Sequence, residues 1–130
     1  MFRKIFSSAV MVSLVGMVFL TGCSTTKPYA RERQYEKVRS MLEDREFSDA
    51  ADYATKKLEA GDDWRLLFYR AFAFYHLDDY DNARADFDRA LALEDAYPLL
   101  YVNRGNLNAR LGAYDEALAD YAAAVTAFDA

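Results

Sequence analysis

One cysteine, one histidine and two prolines are all that the 130 residues hold of these types, and each scarcity removes a class of protein. Cys23 cannot form a disulfide within its own chain, so packing alone must hold a core even in an oxidising compartment. His76, standing alone, excludes a multi-histidine metal site within one chain. Positive charge is also short: the net charge is −5, and nucleic-acid binding relies on Lys and Arg neutralising phosphates. Single glycines at 105 and 112 make no phosphate-cradling loop; Gly105 reads as a packing residue and Gly112 as a helix end. The acid-rich "DDYDNARAD" lacks the glycine turn and terminal glutamate of a calcium loop, and its acids fit a hairpin turn and helix cap. No catalytic constellation, metal site or cofactor site emerges, so the expectation is a protein that is not an enzyme.

Proline and glycine scarcity also shapes the fold. After Ala30 the only proline is Pro98, and Tyr and Phe recur at helical rather than alternating spacing, which leaves no place for strands. Residues 24–30, "STTKPYA", are small and polar around Pro28 and read as a short tether.

The amino terminus is built differently. "MFRK" carries two positive charges, and residues 5–20, "IFSSAVMVSLVGMVFL", carry none. At about 1.5 Å per residue this run reaches roughly 24 Å, short of the roughly 30 Å hydrocarbon core, and serines and a glycine dilute it. Without an outer polar face it is no amphipathic core helix either. A basic start, an apolar run and small residues form the layout of an export signal.

The run ends in "LTGC": Leu20, Thr21, Gly22 and Cys23. This resembles the lipobox of bacterial lipoprotein precursors. The resemblance implies that residues 1–22 are a signal peptide, that Cys23 is lipidated, and that residues 23–30 tether the body to a membrane. Two or three acyl chains anchor stably where one holds marginally. With the thiol acylated, a Cys–His nucleophilic site is excluded too. Ser24 follows the cysteine where an aspartate would imply retention in the inner membrane, so the resemblance implies the outer membrane, with the body facing the periplasm. Cleavage would remove Arg3 and Lys4 but no acid, taking the net charge from −5 to −7.

The body repeats. Residues 66–93, "LLFYRAFAFYHLDDYDNARADFDRALAL", align without gaps over 100–127, "LYVNRGNLNARLGAYDEALADYAAAVTA", at an offset of 34. Arg70 falls over Arg104, Ala71 over Gly105, Tyr80 over Tyr114, Ala83 over Ala117, Asp86 over Asp120 and Ala90 over Ala124. A degenerate copy, 34–61, precedes them, with Phe47 and Ala50 matching Tyr80 and Ala83 at an offset of 33. These residues closely resemble the tetratricopeptide repeat. The resemblance implies an all-α, right-handed superhelical stack of antiparallel helix pairs over residues 31–130, with repeats at about 31–61, 64–97 and 98–130. Ala71 with Ala83, and Gly105 with Ala117, are small enough for close helix contact. Tyr80 and Tyr114 are expected just before the second helices, Asp81 and Asp115 as their caps, and Ser48 as the cap in the first repeat. Arg70–Asp86 and Arg104–Asp120, each 16 apart, read as structural pairs across a hairpin.

In such a stack the first helix of each pair lines a concave side. That side would carry Tyr35, Arg39 and Leu42; Phe68, Tyr69, Phe72, Tyr75 and His76; and Val102, Asn103, Asn106 and Arg110. "FYRAFAFYH" is aromatic almost all round, more than one buried stripe uses, so Tyr69, Phe72, His76, Asn103, Asn106 and Arg110 are the candidate partner-binding residues. Ala71 and Phe74 are expected on the packed side. Some members of the family hold a partner's terminal carboxylate with a Lys/Asn clamp; Tyr35, Arg39, Tyr69, Leu99 and Asn103 occupy those places, so that clamp is not carried over. The end of the stack leaves Leu118, Val125 and Phe128 without cover, which implies self-association or partner docking there. The functional expectation is a lipid-anchored protein- or peptide-binding module of the bacterial cell envelope. Two others stand beside it: a self-associating structural lipoprotein, and a non-catalytic accessory subunit of an envelope enzyme.

Overall fold

The computed structural model describes residues 28–130. The expected signal peptide, Cys23 and the expected tether as far as Lys27 lie outside the described residues. Among the described residues six helices follow one another: α1 (Pro28–Glu43), α2 (Phe47–Leu58), α3 (Trp64–His76), α4 (Tyr80–Leu93), α5 (Pro98–Arg110) and α6 (Tyr114–Asp129). Among the described residues there is no strand, and no helix is long and apolar enough to cross a membrane. The described residues form an all-helical stack of three hairpins, as expected. Helix α1 begins inside the expected tether: a proline is tolerated in a first turn, where its missing N–H would have no helical partner.

The turn within each hairpin is one device used three times. Arg45, Asp78 and Gly112 sit mid-turn with φ of 64°, 59° and 79°. The residue after each returns a backbone N–H to the carbonyl five residues earlier: Glu46 to Met41 at 2.8 Å, Asp79 to Phe74 at 2.9 Å and Ala113 to Asn108 at 2.9 Å. This left-handed closure satisfies carbonyls that the ending helix leaves free.

Helix starts depart from the expected caps. Tyr80 and Tyr114 are the first residues of α4 and α6, so Asp81 and Asp115 fall inside the first turn, where they complement the helix dipole without capping. Asp79 caps α4, its carboxylate accepting from Asn82 N–H. Helices α2 and α6 have no side-chain cap, and Ser48 lies within α2. Asp63 caps α3, accepting from Arg65 and Leu66 N–H at 3.0 and 3.2 Å.

Small residues make the contacts. Ala50, Ala51, Ala54, Leu66 and Ala73 pack with Tyr35 and Val38 in one core cluster. Leu67, Ala71, Ala83, Phe87 and Ala90 pack with Leu100 and Leu107 in a second. Gly105 is buried, but its absent side chain makes room for a ring: a Cβ there would stand 2.7 Å from Tyr121 Cε1. The tight contact of the last hairpin is thus Gly105 with Tyr121.

The paired charges are rivets. Arg70 binds Asp86 through Nε and Nη2 at 2.6 and 2.8 Å, and its Nη1 reaches Thr55 on the preceding hairpin at 3.0 Å. Arg104 repeats the arrangement, with Nη2 on Asp120 at 2.7 Å and Nη1 on Asp88 at 2.7 Å. Both aspartates are buried, and each arginine joins three helices. Helices α1, α3 and α5 lie side by side, which assembles the inner face.

Candidate interaction surface

Helix α3 sorts its aromatic residues between core and surface. Phe68 turns into the second cluster, edge-on to Tyr97 with ring centroids 5.9 Å apart. Tyr75 packs there too, beside Tyr80 at 6.0 Å. Tyr69 is half-buried against the first cluster, and burial pushes its hydroxyl pKa up. Ala71 is fully buried and Phe74 packs against both clusters, as expected of the packed side. Phe72 is half-buried and belongs to neither cluster. His76 is exposed.

Phe72 and His76 meet, with ring centroids 4.6 Å apart. On its other side His76 stacks on Phe47 at 4.5 Å and 8°, and the Arg45 guanidinium lies 5.9 Å from the Phe47 ring. Partial desolvation of the ring, and then the Arg45 charge, hold the His76 imidazole below its ordinary pKa and favour its neutral form. The surface is therefore a ladder of Phe72, His76 and Phe47 with a cation at its end. Phe47 and Arg45 were not found from the sequence, because they come from the turn and start of the degenerate first hairpin.

The α5 candidates are differently placed. Asn103 donates its amide to Leu99 O at 2.8 Å, within its own helix. Asn106 accepts from the Tyr121 hydroxyl at 2.8 Å. Arg110 donates to the Tyr80 hydroxyl at 2.6 Å and lies 3.8 Å from Asp78. The candidates thus form no single patch, and Arg110 is engaged with the preceding hairpin. Tyr35 and Val102, like Phe68 and Tyr75, leave the expected concave lining. Tyr35 is buried and donates to Asp63, which pushes its pKa up to about 12, burial being the larger cause. Val102 faces the end of the stack, where it joins Pro98, Tyr121, Ala124, Val125 and Phe128 around an apolar groove of about 410 Å³.

In the last two hairpins charge segregates between the inner and outer helices, whereas α1 of the first hairpin carries Glu32, Glu36 and Glu43. Helices α3 and α5 contain no acid, while α4 and α6 contain seven between them: Asp81, Asp86, Asp88, Asp115, Glu116, Asp120 and Asp129. Within an acidic chain, the inner face contributed by α3 and α5 is neutral to basic. A larger cavity of about 930 Å³ beside Tyr35, Asp63, Trp64 and Arg65 is lined by both signs of charge. Among the described residues no group of three His, Cys, Asp or Glu side chains is placed to hold a metal ion.

Comparison with known proteins points the same way. The tetratricopeptide repeat family profile matches residues 64–97, the middle hairpin. No curated protein matches the sequence. Among solved structures, the chain resembles the second TPR of Spaghetti (RPAP3) bound to HSP90 peptide SRMEEVD, with a TM-score of 0.69 and 21% identity over 73% of this chain and 84% of that one. It also resembles the first TPR of Spaghetti (RPAP3) bound to the same peptide, with a TM-score of 0.67 and 27% identity over 72% of this chain and 75% of that one. The repeat match and the shared architecture make the described body a helical stack of tetratricopeptide-repeat type, a fold that serves as a scaffold for protein–protein interaction.

Proposed function

We propose that the chain is a lipid-anchored interaction module of the bacterial cell envelope, held through Cys23 in the outer membrane with its body toward the periplasm. There it would help assemble or recruit an envelope complex, in the manner of a pilotin, an outer-membrane assembly factor or a wall-enzyme adaptor. The observation that carries the binding role is the ladder of Phe72, His76 and Phe47 beside Arg45. Phe72 is half-buried outside both core clusters and so is available as an anchor. With no acid on α3 or α5, that part of the inner face favours a partner segment that combines an apolar side chain with carboxylates, while the glutamates of the face lie on α1. A peptide bound to the 27%-identical structure supports a peptide partner on this architecture. The anchoring part rests on "LTGC" and the charge-free run before it.

The test is capture from detergent-solubilised membranes with Cys23 intact, comparing wild type, Phe72→Ala and Cys23→Ser. Phe72→Ala should lose a specific partner while keeping its melting temperature within a few degrees. Cys23→Ser should lose lipid labelling and stay uncut. Normal processing and membrane attachment in that variant would defeat the anchored reading. Unchanged capture by Phe72→Ala would defeat the aromatic ladder as the binding site.

A further inference from the structure

The apolar groove at the end of the stack has a counterpart inside it. Moving 34 residues back turns Pro98, Val102, Tyr121 and Val125 into Trp64, Phe68, Phe87 and Leu91. Those four belong to the second cluster, where they pack with Tyr97 and Leu100 and so seat α5. The groove is therefore a helix seat. The two seats differ in one respect that identifies the occupant. Inside, α4 holds α5 through two polar contacts, Arg84 to Asn108 at 2.7 Å and Asp88 to Arg104 at 2.7 Å. At the end, the same positions are Leu118 and Ala122. A helix like α5 would bring its asparagine and arginine against apolar residues there. The occupant must instead be apolar at both points.

Helix α6 meets that requirement itself. Leu118, Val125 and Phe128 are 65%, 62% and 81% exposed. Between Glu116 and Asp129 its only acid or base is Asp120, buried and paired with Arg104. Leu118 and Val125 lie one heptad apart, with the small Ala122 near their midpoint. Two antiparallel α6 helices related by a two-fold axis near Ala122 would set Leu118 of each against Val125 of the other, the self-complementarity that such an interface demands. We propose that the α5–α6 end of the stack is an interface between two copies of this chain. The inference is independent of any partner on the inner face.

Size and charge set its character. A helix of 16 residues is about 24 Å long, and two neighbours present a width of about 18 Å, so the face spans roughly 430 Å². That belongs with weak, reversible association. Near the rim, Asp115 and Glu116 of one copy approach Asp129 of the other, so salt should strengthen the dimer by screening them.

Sedimentation of the full chain in detergent, over a concentration series and at two ionic strengths, tests this. Expected is a monomer–dimer equilibrium that tightens with salt and is weakened tenfold or more in Leu118→Asp and Val125→Asp, with melting temperatures unchanged because both positions are exposed. Ala122→Cys should cross-link readily on oxidation, and Asn82→Cys on exposed α4 should not. A wild type that stays monomeric, or aspartate variants that dimerise as well as wild type, would overturn the proposal. So would a monomeric wild type that binds the synthetic α5 segment "YPLLYVNRGNLNAR", which would assign the seat to a foreign helix instead.

Discussion

Arg104 and Asp120 face each other across the last hairpin, with Arg104 Nη2 2.7 Å from Asp120 Oδ1 and Nε also within reach. Asp120 Oδ2 further accepts the Asn108 amide at 2.9 Å, and Asn108 in turn accepts from Arg84. Hydrogen bonding to Asp120 holds the Arg104 guanidinium still further above its ordinary range. Removing Asp120 leaves Arg104 only the exposed Asp88 as a partner and the buried Asn108 amide without its acceptor; breaking a buried pair typically costs about 3–5 kcal/mol, whereas apolar residues at both places cost less. Asp120→Leu alone should therefore destabilise by several kcal/mol. Arg104→Met with Asp120→Leu should be closer to wild type than the single variant. Denaturant melts of the four-member cycle would show it, and additive losses would mean the two residues act separately.

Gly105 sets up a contest of two known effects. Replacing a helical glycine by alanine ordinarily gains about 1 kcal/mol. Here the new Cβ would meet Tyr121 at 2.7 Å, and overpacking costs about 1–3 kcal/mol. The Tyr121 hydroxyl is bonded to Asn106, which resists rotation of the ring. Gly105→Ala should be destabilising in wild type and stabilising in a Tyr121→Ala background. Stabilisation in both backgrounds would show that the ring yields, and destabilisation in both would show that Tyr121 is not the cause.

The His76 imidazole gives a pH dependence of defined sign. Burial and the Arg45 charge lower its pKa in the folded state below the ordinary 6.5. The unfolded chain therefore takes up the proton first, so stability declines as pH falls through about 6.5 and levels off below the folded pKa. His76→Gln should lack this contribution. Melting temperatures of the pair, measured between about pH 8 and 5, should diverge from one another only below about 6.5; a constant difference would remove His76 as the cause.

The repeat made much of this legible from the residues alone. Arg70 over Arg104 and Asp86 over Asp120 located the rivets, because a pair recurring in frame is fixed by the hairpin and not by a ligand. Helix starts were less legible, since Asp79, Asp81 and Asp115 are all acids near a boundary and only backbone geometry decides which one caps. The site was least legible. A helix as aromatic as α3 offers rings in every direction, and Phe68 and Tyr75 were claimed by Tyr97 and Tyr80 from later segments. Phe47 matched Tyr80 only as a packing position, and the degenerate first hairpin, at an offset of 33, gave no sign that Phe47 and Arg45 would meet His76 and its neighbours.

Arg45 bears the last prediction. Its counterpart Gly112 adopts the left-handed turn without a side chain, whereas Arg45 adopts φ of 64° with one. A non-glycine residue there costs roughly 1–2 kcal/mol. Against that stands the guanidinium 5.9 Å from the Phe47 ring, a contact at an exposed site worth about 0.5–1 kcal/mol. Relief of the backbone exceeds loss of the contact, so Arg45→Gly should stabilise the fold by a few tenths of a kcal/mol up to about 1 kcal/mol. It should also move the His76 pKa upward, because the Arg45 charge is one of the two causes of its depression. Arg45→Ala separates the two effects: it keeps the backbone cost, loses the contact, and should be less stable than wild type while shifting His76 by the same amount. Melts together with an NMR titration of the single histidine would measure both quantities. A glycine variant no more stable than the alanine variant would mean the turn is not strained at this residue.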